Sequence, residues 1–386
     1  SITTGGGSTP AVEIQPSDVN FFDYDGTLIA SYTEEQAQAL AELPTPPEHD
    51  GLVFQGWNYT LEEVVKYAKA ADVGALYVTD DGKTRILIDA YTQKIALYFT
   101  QTKSSGILVD WGDGETTRSD DNPAPVIMHA YEATGNYTIT ILPDDDCDIT
   151  LGSGTGSYLK LCDGGIKILE VNIGKNVISL ETKSFCESKY LKKISICEGV
   201  RIQANVFSEC YDLEYITMPR KSAAIYIGVL EDCYSLRHIS IAPVVSVVRR
   251  AFLNCISLER IVINGDYEFF TESAPFLGSC RALKRLYLST NVKVVLTGDV
   301  ANDCDQLSMV IVDANVSTIE IGFLSNSPKL ETLDLSKSEN VVTLDSAKVF
   351  TKCDTKLLKI LVPAALADEW KKATNWTVYA DNIIGV

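Results

Sequence analysis

The stretch FSECYDLEYITM, residues 207–218, is one of nine copies of a single pattern. It reads F-x-x-C-x-x-L-x-x-I-x-M, and further copies begin at residues 230, 252, 277 and 301. Serine replaces the cysteine in the copies that begin at 185 and 324, and one residue is inserted in those that begin at 159 and 350. The central leucine or isoleucine therefore recurs every 22 to 27 residues, at positions 166, 191, 213, 236, 258, 283, 307, 330 and 357.

A period in this range, with an L-x-x-I-x-I strand pattern in each copy, predicts a leucine-rich-repeat solenoid in which each turn buries its apolar face against its neighbours. With phenylalanine and cysteine ahead of the leucine, residues 152–386 resemble the BspA-like repeats of bacterial surface proteins. Residues 360–376, ILVPAALADEWKKATNW, resemble the strand, helix and tryptophan closure that ends many such arrays. We expect a short helix from Pro363 to Thr374 to cover the last turn.

A chain of 386 residues exceeds what one hydrophobic core usually supports, which predicts a multidomain, β-rich protein. We predict a flexible Gly/Ser/Thr tether at 1–17, a small α+β module at 18–83, a β-sandwich at 84–150, and the solenoid with a C-terminal helical cap at 151–386. The chain begins at Ser1 without a signal-like segment, so we expect a mature or trimmed form. It contains no run of about 18 apolar residues that could span a membrane.

Charge is distributed unevenly along the chain. Residues 1–151 hold 7 basic and 25 acidic residues, whereas the remainder holds 26 and 27. An acidic surface repels phosphates, so we expect no nucleic-acid partner and no direct membrane insertion.

Seven of the ten cysteines occupy the repeat column, which predicts small core side chains stacked turn on turn. No C-x-x-C pair supports a zinc site, and we expect no metal and no cofactor. The roles of Cys147, Cys186 and Cys197, which lie off the column, stay open. The column cysteines are Cys162, Cys210, Cys233, Cys255, Cys280, Cys304 and Cys353.

The region after the tether predicts strands at 19–24, 27–32 and 52–57, a Pro-rich link, and a helix at 62–71. It resembles the Listeria-Bacteroides repeat, or internalin B-repeat, whose pattern is F-x-D-Y-D-G, then P-x-x-P, then G-x-x-F-x-G-W. The matching residues are Phe22, Asp23, Asp25, Gly26, Pro44, Pro47, Gly51, Phe54, Gly56 and Trp57.

Residues 23–28, DYDGTL, also resemble the opening motif of haloacid-dehalogenase phosphatases. That resemblance implies Asp23 as the phosphoryl-accepting nucleophile and Asp25 as the general acid. The chemistry needs a larger α/β domain with a later lysine and an acidic pair for magnesium. An Asp-Gly hairpin turn accounts for the same letters, and we expect the turn.

From residue 84 onward, short alternating strands at 86–89, 95–99, 107–111 and 137–142 predict a β-sandwich. The segments 109–114 (VDWGDG), 129–131 (HAY) and 135–137 (GNY) resemble the signatures of PKD-type domains, although the first is shorter than usual. We expect His129 to be hydrogen-bonded near the Asp-Gly turn rather than to act as a catalytic base. A cation site stays open, although its candidate ligands lack EF-hand spacing. These are Asp110, Asp113, Asp120 and Asp121.

Alternation along each L-x-x-I-x-I strand points two columns of side chains away from the solenoid core, toward solvent on the concave sheet. The middle of these columns is basic and aromatic, and we predict that it binds a ligand. The alternative is that these polar residues merely keep the sheet soluble. The predicted ligand-binding residues are Tyr215, His238, Arg260, Arg285 and Tyr287.

We therefore predict a non-enzymatic recognition or adhesion protein, secreted or at a bacterial cell surface. Its expected partner is a protein or glycan of a host or neighbouring cell. Two alternatives stay open: a structural spacer or surface-layer component without a specific ligand, and a phosphatase that uses Asp23 and Asp25.

Overall fold

The computed structural model of this protein describes residues 16–91, 94–101, 106–120, 126–144, 147–152, 162–163, 166–222, 224–248, 250–265, 277–298, 300–324 and 326–386. Strands dominate these residues, and the three α-helices among them have at most six residues each. No described helix is both long and apolar enough to cross a membrane.

The first unit, residues 16–79, is called the N-terminal module below. Its elements are β1 (Val19–Phe22), β2 (Leu28–Tyr32), α1 (Glu34–Gln38), β3 (Leu52–Trp57), α2 (Leu61–Lys66) and β4 (Ala71–Thr79). The sheet order is β2-β1-β4-β3, and only the β1–β4 pair within it is parallel. Both helices begin with a capping box, Thr33 with Gln36 and Thr60 with Glu63.

The sequence prediction was wrong about the end of this module. The predicted helix at 62–71 stops at Lys66, and a central strand, β4, begins at Ala71. This strand is buried almost throughout, so its residues, ADVGALYVT, are nearly all apolar or small and show neither helical nor strand periodicity. One helix, α1, also occupies part of the stretch that we predicted as a link.

The second unit carries the predicted sandwich strands, paired in two sheets. Its strands are β5 (Thr84–Ala90), β6 (Lys94–Gln101), β7 (Ile107–Asp110), β8 (Thr116–Ser119), β9 (Val126–Ala130), β10 (Gly135–Pro143) and β11 (Ile149–Leu151). One sheet contains β5, β10, β7 and β8, and the other contains β9, β6 and β11. Side chains of β5 and β6 alternate between buried and half-buried, as expected for a strand with one face on a core.

The solenoid follows with two strands in most turns. Its strands are β12 (Cys162–Asp163), β13 (Ile166–Asn172), β14 (Val177–Leu180), β15 (Lys193–Ser195), β16 (Arg201–Ile202), β17 (Tyr215–Met218), β18 (Ala224–Ile225), β19 (His238–Ile241), β20 (Ser246–Val247), β21 (Arg260–Asn264), β22 (Arg285–Ser289), β23 (Val294–Leu296), β24 (Met309–Asp313), β25 (Val316–Ile319), β26 (Thr332–Asp334), β27 (Thr343–Leu344), β28 (Lys359–Val362) and β29 (Ile383–Gly385). The L-x-x-I-x-I strands lie side by side on one side, which we call the front sheet, with breaks in the hydrogen-bond ladder after β15 and after β19. These strands are β13, β15, β17, β19, β21, β22, β24, β26 and β28.

The sandwich continues directly into the solenoid. Strand β13 pairs antiparallel with β5 and parallel with β15, while β11 pairs antiparallel with β6 and parallel with β14. One hydrophobic core runs without a break from Ile86 to Ile383. The change from antiparallel to parallel pairing is therefore made by β11 and β13 themselves, each of which pairs antiparallel on one side and parallel on the other. The sandwich covers the first solenoid turn, as an end cap must.

The C-terminal segment covers the last turn. A 3₁₀ helix (Ala364–Leu366) and α3 (Ala367–Lys372) together occupy the span of the predicted helix, and a second, unpredicted 3₁₀ helix (Thr377–Asn382) follows it. Trp370 and Trp376 are fully buried, and Trp376 Nε1 donates a hydrogen bond of 2.7 Å to the Val342 carbonyl. The predicted tryptophan closure is confirmed. Strand β29 then adds an unpredicted parallel partner to β28.

The column cysteines form a buried ladder, as predicted. Cys210, Cys233, Cys255, Cys280 and Cys304 are fully buried, and each thiol donates to a carbonyl of the preceding turn at 3.1 to 3.3 Å. None of the nine cysteines whose side chains are described forms a disulfide. The Cys162 side chain lies outside the described residues. Cys147, Cys186 and Cys197, left open above, are also buried.

The residue before seven of the column positions has a left-handed backbone, with φ from 55° to 63°, whereas Lys352 before Cys353 does not. Aspartate and asparagine tolerate this conformation best among residues with a Cβ, and they fill four of the seven positions. The seven residues are Glu187, Glu209, Asp232, Asn254, Ser279, Asp303 and Asn326.

Candidate functional site

The outward side chains of the front sheet are covered by the N-terminal module over much of their length. We call this set the front strip: Lys193, Ser195, Tyr215, Thr217, His238, Ser240, Arg260, Val262, Asn264, Arg285 and Tyr287. Alternation placed these residues outward correctly, but the expectation of solvent exposure was wrong for all of them except Lys193 and Arg285. Tyr215 is 2% exposed and Tyr287 5%, His238 and Arg260 are half-buried, and Arg285 is exposed.

An aromatic stack forms the centre of this contact. The Phe22 ring, from β1, lies 5.4 Å from the His238 ring in stacked geometry and 5.5 Å from the Tyr215 ring. Burial lowers the pKa of His238, although the carboxylates of Asp72 and Glu259 oppose this shift. The neutral imidazole is therefore favoured against the module.

Arg260 is the most extensively bonded cation of the strip. Its Nη1 and Nη2 donate hydrogen bonds of 2.7 Å to the carbonyls of Ser17 and Asp18. Its Nε lies 3.2 Å from Asp72 Oδ2, in a pair whose side chains are 14% and 4% exposed. All three guanidinium nitrogens are thus used, which is the planar recognition that arginine suits best.

A buried polar network surrounds this ion pair. Asn58 Nδ2 donates to the Met218 carbonyl at 3.2 Å, and Asn58 Oδ1 lies 3.0 Å from Ser240 Oγ. The same serine hydroxyl lies 2.5 Å from the Asp72 carbonyl. Asn264 Nδ2 donates to the Ala70 carbonyl at 2.8 Å. Buried polar groups that satisfy one another in this way fix the orientation of the module.

Three further ion pairs lie around this network. Arg220 binds Glu63 through both carboxylate oxygens, at 2.6 and 3.1 Å. Lys193 Nζ lies 3.1 Å from Asp25 Oδ2, and Lys69 Nζ lies 3.8 Å from Asp313 Oδ1. In all but the last pair the carboxylate belongs to the module and the cation to the solenoid. Acidic side chains of the N-terminal module are therefore partly neutralised by basic side chains of the solenoid.

Two glycines let the module approach this closely. A Cβ on Gly74 would lie 2.2 Å from Thr217 Oγ1 and 2.7 Å from the Tyr215 hydroxyl. A Cβ on Gly26 would lie 2.7 Å from the Tyr215 Cβ. At the far end, Ala70 packs with Val262 and Tyr287 in a small apolar cluster. The contacts of the module with the front strip named above were not predicted individually, because their partners lie 141 or more residues apart in the sequence.

The Asp23 motif forms the predicted turn. The Gly26 N–H donates to the Asp23 carbonyl and Gly26 has φ of 87°, so β1 and β2 form a hairpin. The Asp23 carboxylate is buried and lies 2.7 Å from His49 Nε2. Asp25 accepts from the Thr27 N–H and pairs with Lys193. Both carboxylates therefore have structural partners in the hairpin or at the docking contact.

His129 also lies where we expected, near the Asp-Gly turn. Its Nε2 is 2.7 Å from Asp113 Oδ2, and its ring stacks on Trp111 at 4.6 Å. Asp110 and Asp113 accept hydrogen bonds from the turn backbone, whereas Asp120 pairs with Arg118. Asp121 lies outside the described residues.

One group within the described part of the chain brings three metal-ligand atoms within 4.8 Å of one another: Cys186, Glu187 and Glu209. It lies in the turns before the cysteine column and includes none of the aspartates predicted as cation ligands. The repeat itself accounts for this geometry: Cys186 is buried, and Glu187 and Glu209 are the left-handed residues of two neighbouring turns.

Comparison with known proteins supports the repeat assignment. Residues 162–279 and 244–357 match the family model described as BspA type leucine rich repeat region, in six copies, and together span just over half of the chain. No curated protein matches this chain. A solved leucine-rich repeat protein from Bacteroides ovatus ATCC 8483 is 15% identical with a TM-score of 0.30, and the match covers 54% of this chain and 68% of that one. A leucine rich cell surface protein from Faecalibacterium prausnitzii A2-165 is 14% identical with a TM-score of 0.25, and the match covers 56% and 77%.

Proposed function

This chain belongs to the BspA-type leucine-rich repeat family, and we propose that it is a non-enzymatic recognition or adhesion protein, displayed at a bacterial cell surface or secreted. The proposed ligand is a protein of a host or neighbouring cell, bound by the front strip. The residues proposed to carry it are Tyr215, His238, Arg260, Arg285 and Tyr287.

The docking of the N-terminal module is the observation that supports a protein ligand. The front strip holds a folded protein surface through aromatic stacking, a fully used guanidinium and paired charges. Tyrosine and arginine anchors in a desolvated centre are typical of protein interfaces. A strip that only kept the sheet soluble would not need this complementarity.

A binding screen tests the proposal. The full chain and its Gly74→Ala variant, in which a Cβ would press against Thr217 and loosen the module without altering the strip, are screened against extracellular-matrix proteins and polysaccharides. We expect a protein to bind, and Tyr287→Ala to weaken it by about 2 kcal/mol or more. Two outcomes would contradict a protein-binding site on the strip: that only polysaccharides bind, or that Tyr287→Ala leaves the affinity for the protein unchanged.

A further inference from the structure

We propose that the N-terminal module is a tethered, exchangeable occupant of the front strip, so that an external protein partner gains the strip only when the module is released. This inference rests on the proposed function and adds the device that controls access to the same site. The released strip fits a carboxylate-bearing protein surface, because such a partner replaces the carboxylates of Asp25, Glu63 and Asp72.

The module has a hydrophobic core of its own. Residues from Val19 to Tyr77 form a cluster that is separate from the continuous core of the sandwich and solenoid. The module therefore separates from the strip without opening either core. Within the described ranges, the apolar contacts that join the two are Ala70 with Val262 and Tyr287, Phe22 with Tyr215 and His238, and Val78 beside the connection to β5.

The front strip is mostly polar. Eight of its eleven side chains are serine, threonine, asparagine, histidine, lysine or arginine, and both tyrosines carry a hydroxyl. Water solvates these groups once the module leaves, so the apolar surface that release exposes is confined to the aromatic stack and the Ala70 cluster. Permanent interfaces are more hydrophobic, whereas contacts between exchangeable partners have this polar composition.

One end of the strip is already open. Arg285 is exposed in the turn after Arg260, and the same column continues through Met309 and Thr332 to the exposed Lys359. A partner can bind this open end first and then compete with the N-terminal module for the covered residues. Arg260 and Arg285 are thus a matched pair: they are register neighbours in the same column, one beneath the module and one beside it.

Thiol labelling measures the release directly. Val262 is 2% exposed beneath Ala70, so the thiol of a Val262→Cys variant reacts only when the module leaves. Cys255, fully buried in the same turn, reacts only when the solenoid core opens. Each native labelling rate is divided by the rate of the same thiol in the unfolded chain, which removes differences in intrinsic reactivity.

We expect the Val262→Cys thiol to be labelled at least about tenfold faster than Cys255 after this correction. Arg260→Ala should speed the first labelling at least about tenfold further, because it removes a charged hydrogen-bonded group and leaves the buried Asp72 carboxylate without its cation. It should leave the labelling rate of Cys255 unchanged. Arg285→Ala is the control, with less than about a twofold change. Glu63→Gln is a second test that keeps the capping box of α2 but removes the charge that Arg220 binds.

Equal protection of the two thiols, or equal acceleration of both by Arg260→Ala and Glu63→Gln, would overturn the inference, because the module would then be a permanent part of the fold. A module that opens in a chain that binds no protein would contradict the proposed function alone.

Discussion

Gly74→Ala is the perturbation that most sharply separates docking of the module from folding of its parts. Gly74 lies in β4 against the front strip, and an added Cβ would lie 2.2 Å from Thr217 Oγ1 and 2.6 Å from its Cγ2. Optimal carbon contacts lie at about 3.5 to 4.0 Å, so the module must shift or Thr217 must rotate. Overpacking of this kind costs about 1 to 3 kcal/mol. The ratio of docked to released module should fall about 5- to 160-fold.

The assay is the labelling rate of the Val262→Cys thiol, with thermal melting alongside. Gly199→Ala is the matched control, because a Cβ there meets nothing within 4 Å, and it should change stability by less than about 0.5 kcal/mol. Thr217→Ala removes two of the clashing atoms and should rescue part of the docking in the double variant. Unchanged labelling in Gly74→Ala, with no effect of Thr217→Ala on it, would refute the docking geometry.

Three further outcomes follow from the fold. Trp376→Ala should lower the free energy of unfolding, measured in urea, by about 3 to 5 kcal/mol, because it uncovers the last turn. Val378→Ala, at a side chain 62% exposed, should change it very little, and equal effects of the two variants would contradict the cap. Native cysteines should resist a bulky thiol reagent until the chain unfolds, because burial hides the thiols and raises the pKa even of Cys353 to about 11. Among the column cysteines whose side chains are described, Cys353, 8% exposed, should react first; rapid native labelling of the column would contradict the ladder. The docked state holds His238 with a lowered pKa, caused by burial and by Arg260 and Arg237 against Asp72 and Glu259, so it binds fewer protons than the released state. Docking of the module should therefore weaken as pH falls below about 6.5, and the corrected labelling rate of the Val262→Cys thiol should rise. His238→Gln should remove this pH dependence. A pH dependence that persists in His238→Gln would show that another group causes it.

Local patterns were enough to predict the orientation of the front strip. The period of two along each strand places Tyr215, Arg260 and Tyr287 outward, and the structure confirms it because inward neighbours such as Ile216 and Ile261 are fully buried. The cysteine ladder was predictable for the same reason, since one column repeats in every turn. The left-handed residue before most column positions was not, because Glu209 and Ser279 share no obvious side-chain property with Asp232.

The covering of the strip could not be predicted from local patterns, because it depends on contacts between distant segments. Arg260 meets Asp72, and Asn58 meets Met218, through a fit that no spacing rule describes. The excess of acid in the first 151 residues was the visible signal, although we related it only to external partners. Strand β4 was missed because it is buried on both faces, against its own helices and against the strip.

Zero-length crosslinking of the unmodified protein tests the central claim, that the N-terminal module sits on the front strip, most directly. A carbodiimide joins a lysine amine to a carboxylate only where the two touch, and Lys193 Nζ lies 3.1 Å from Asp25 Oδ2 with the two side chains 45% and 22% exposed. The pair Lys284 and Glu259, 2.9 Å apart on neighbouring solenoid turns, is the internal control. In dilute monomeric protein, we predict that mass spectrometry finds both linkages. The Lys284–Glu259 linkage without the Lys193–Asp25 linkage would contradict the account.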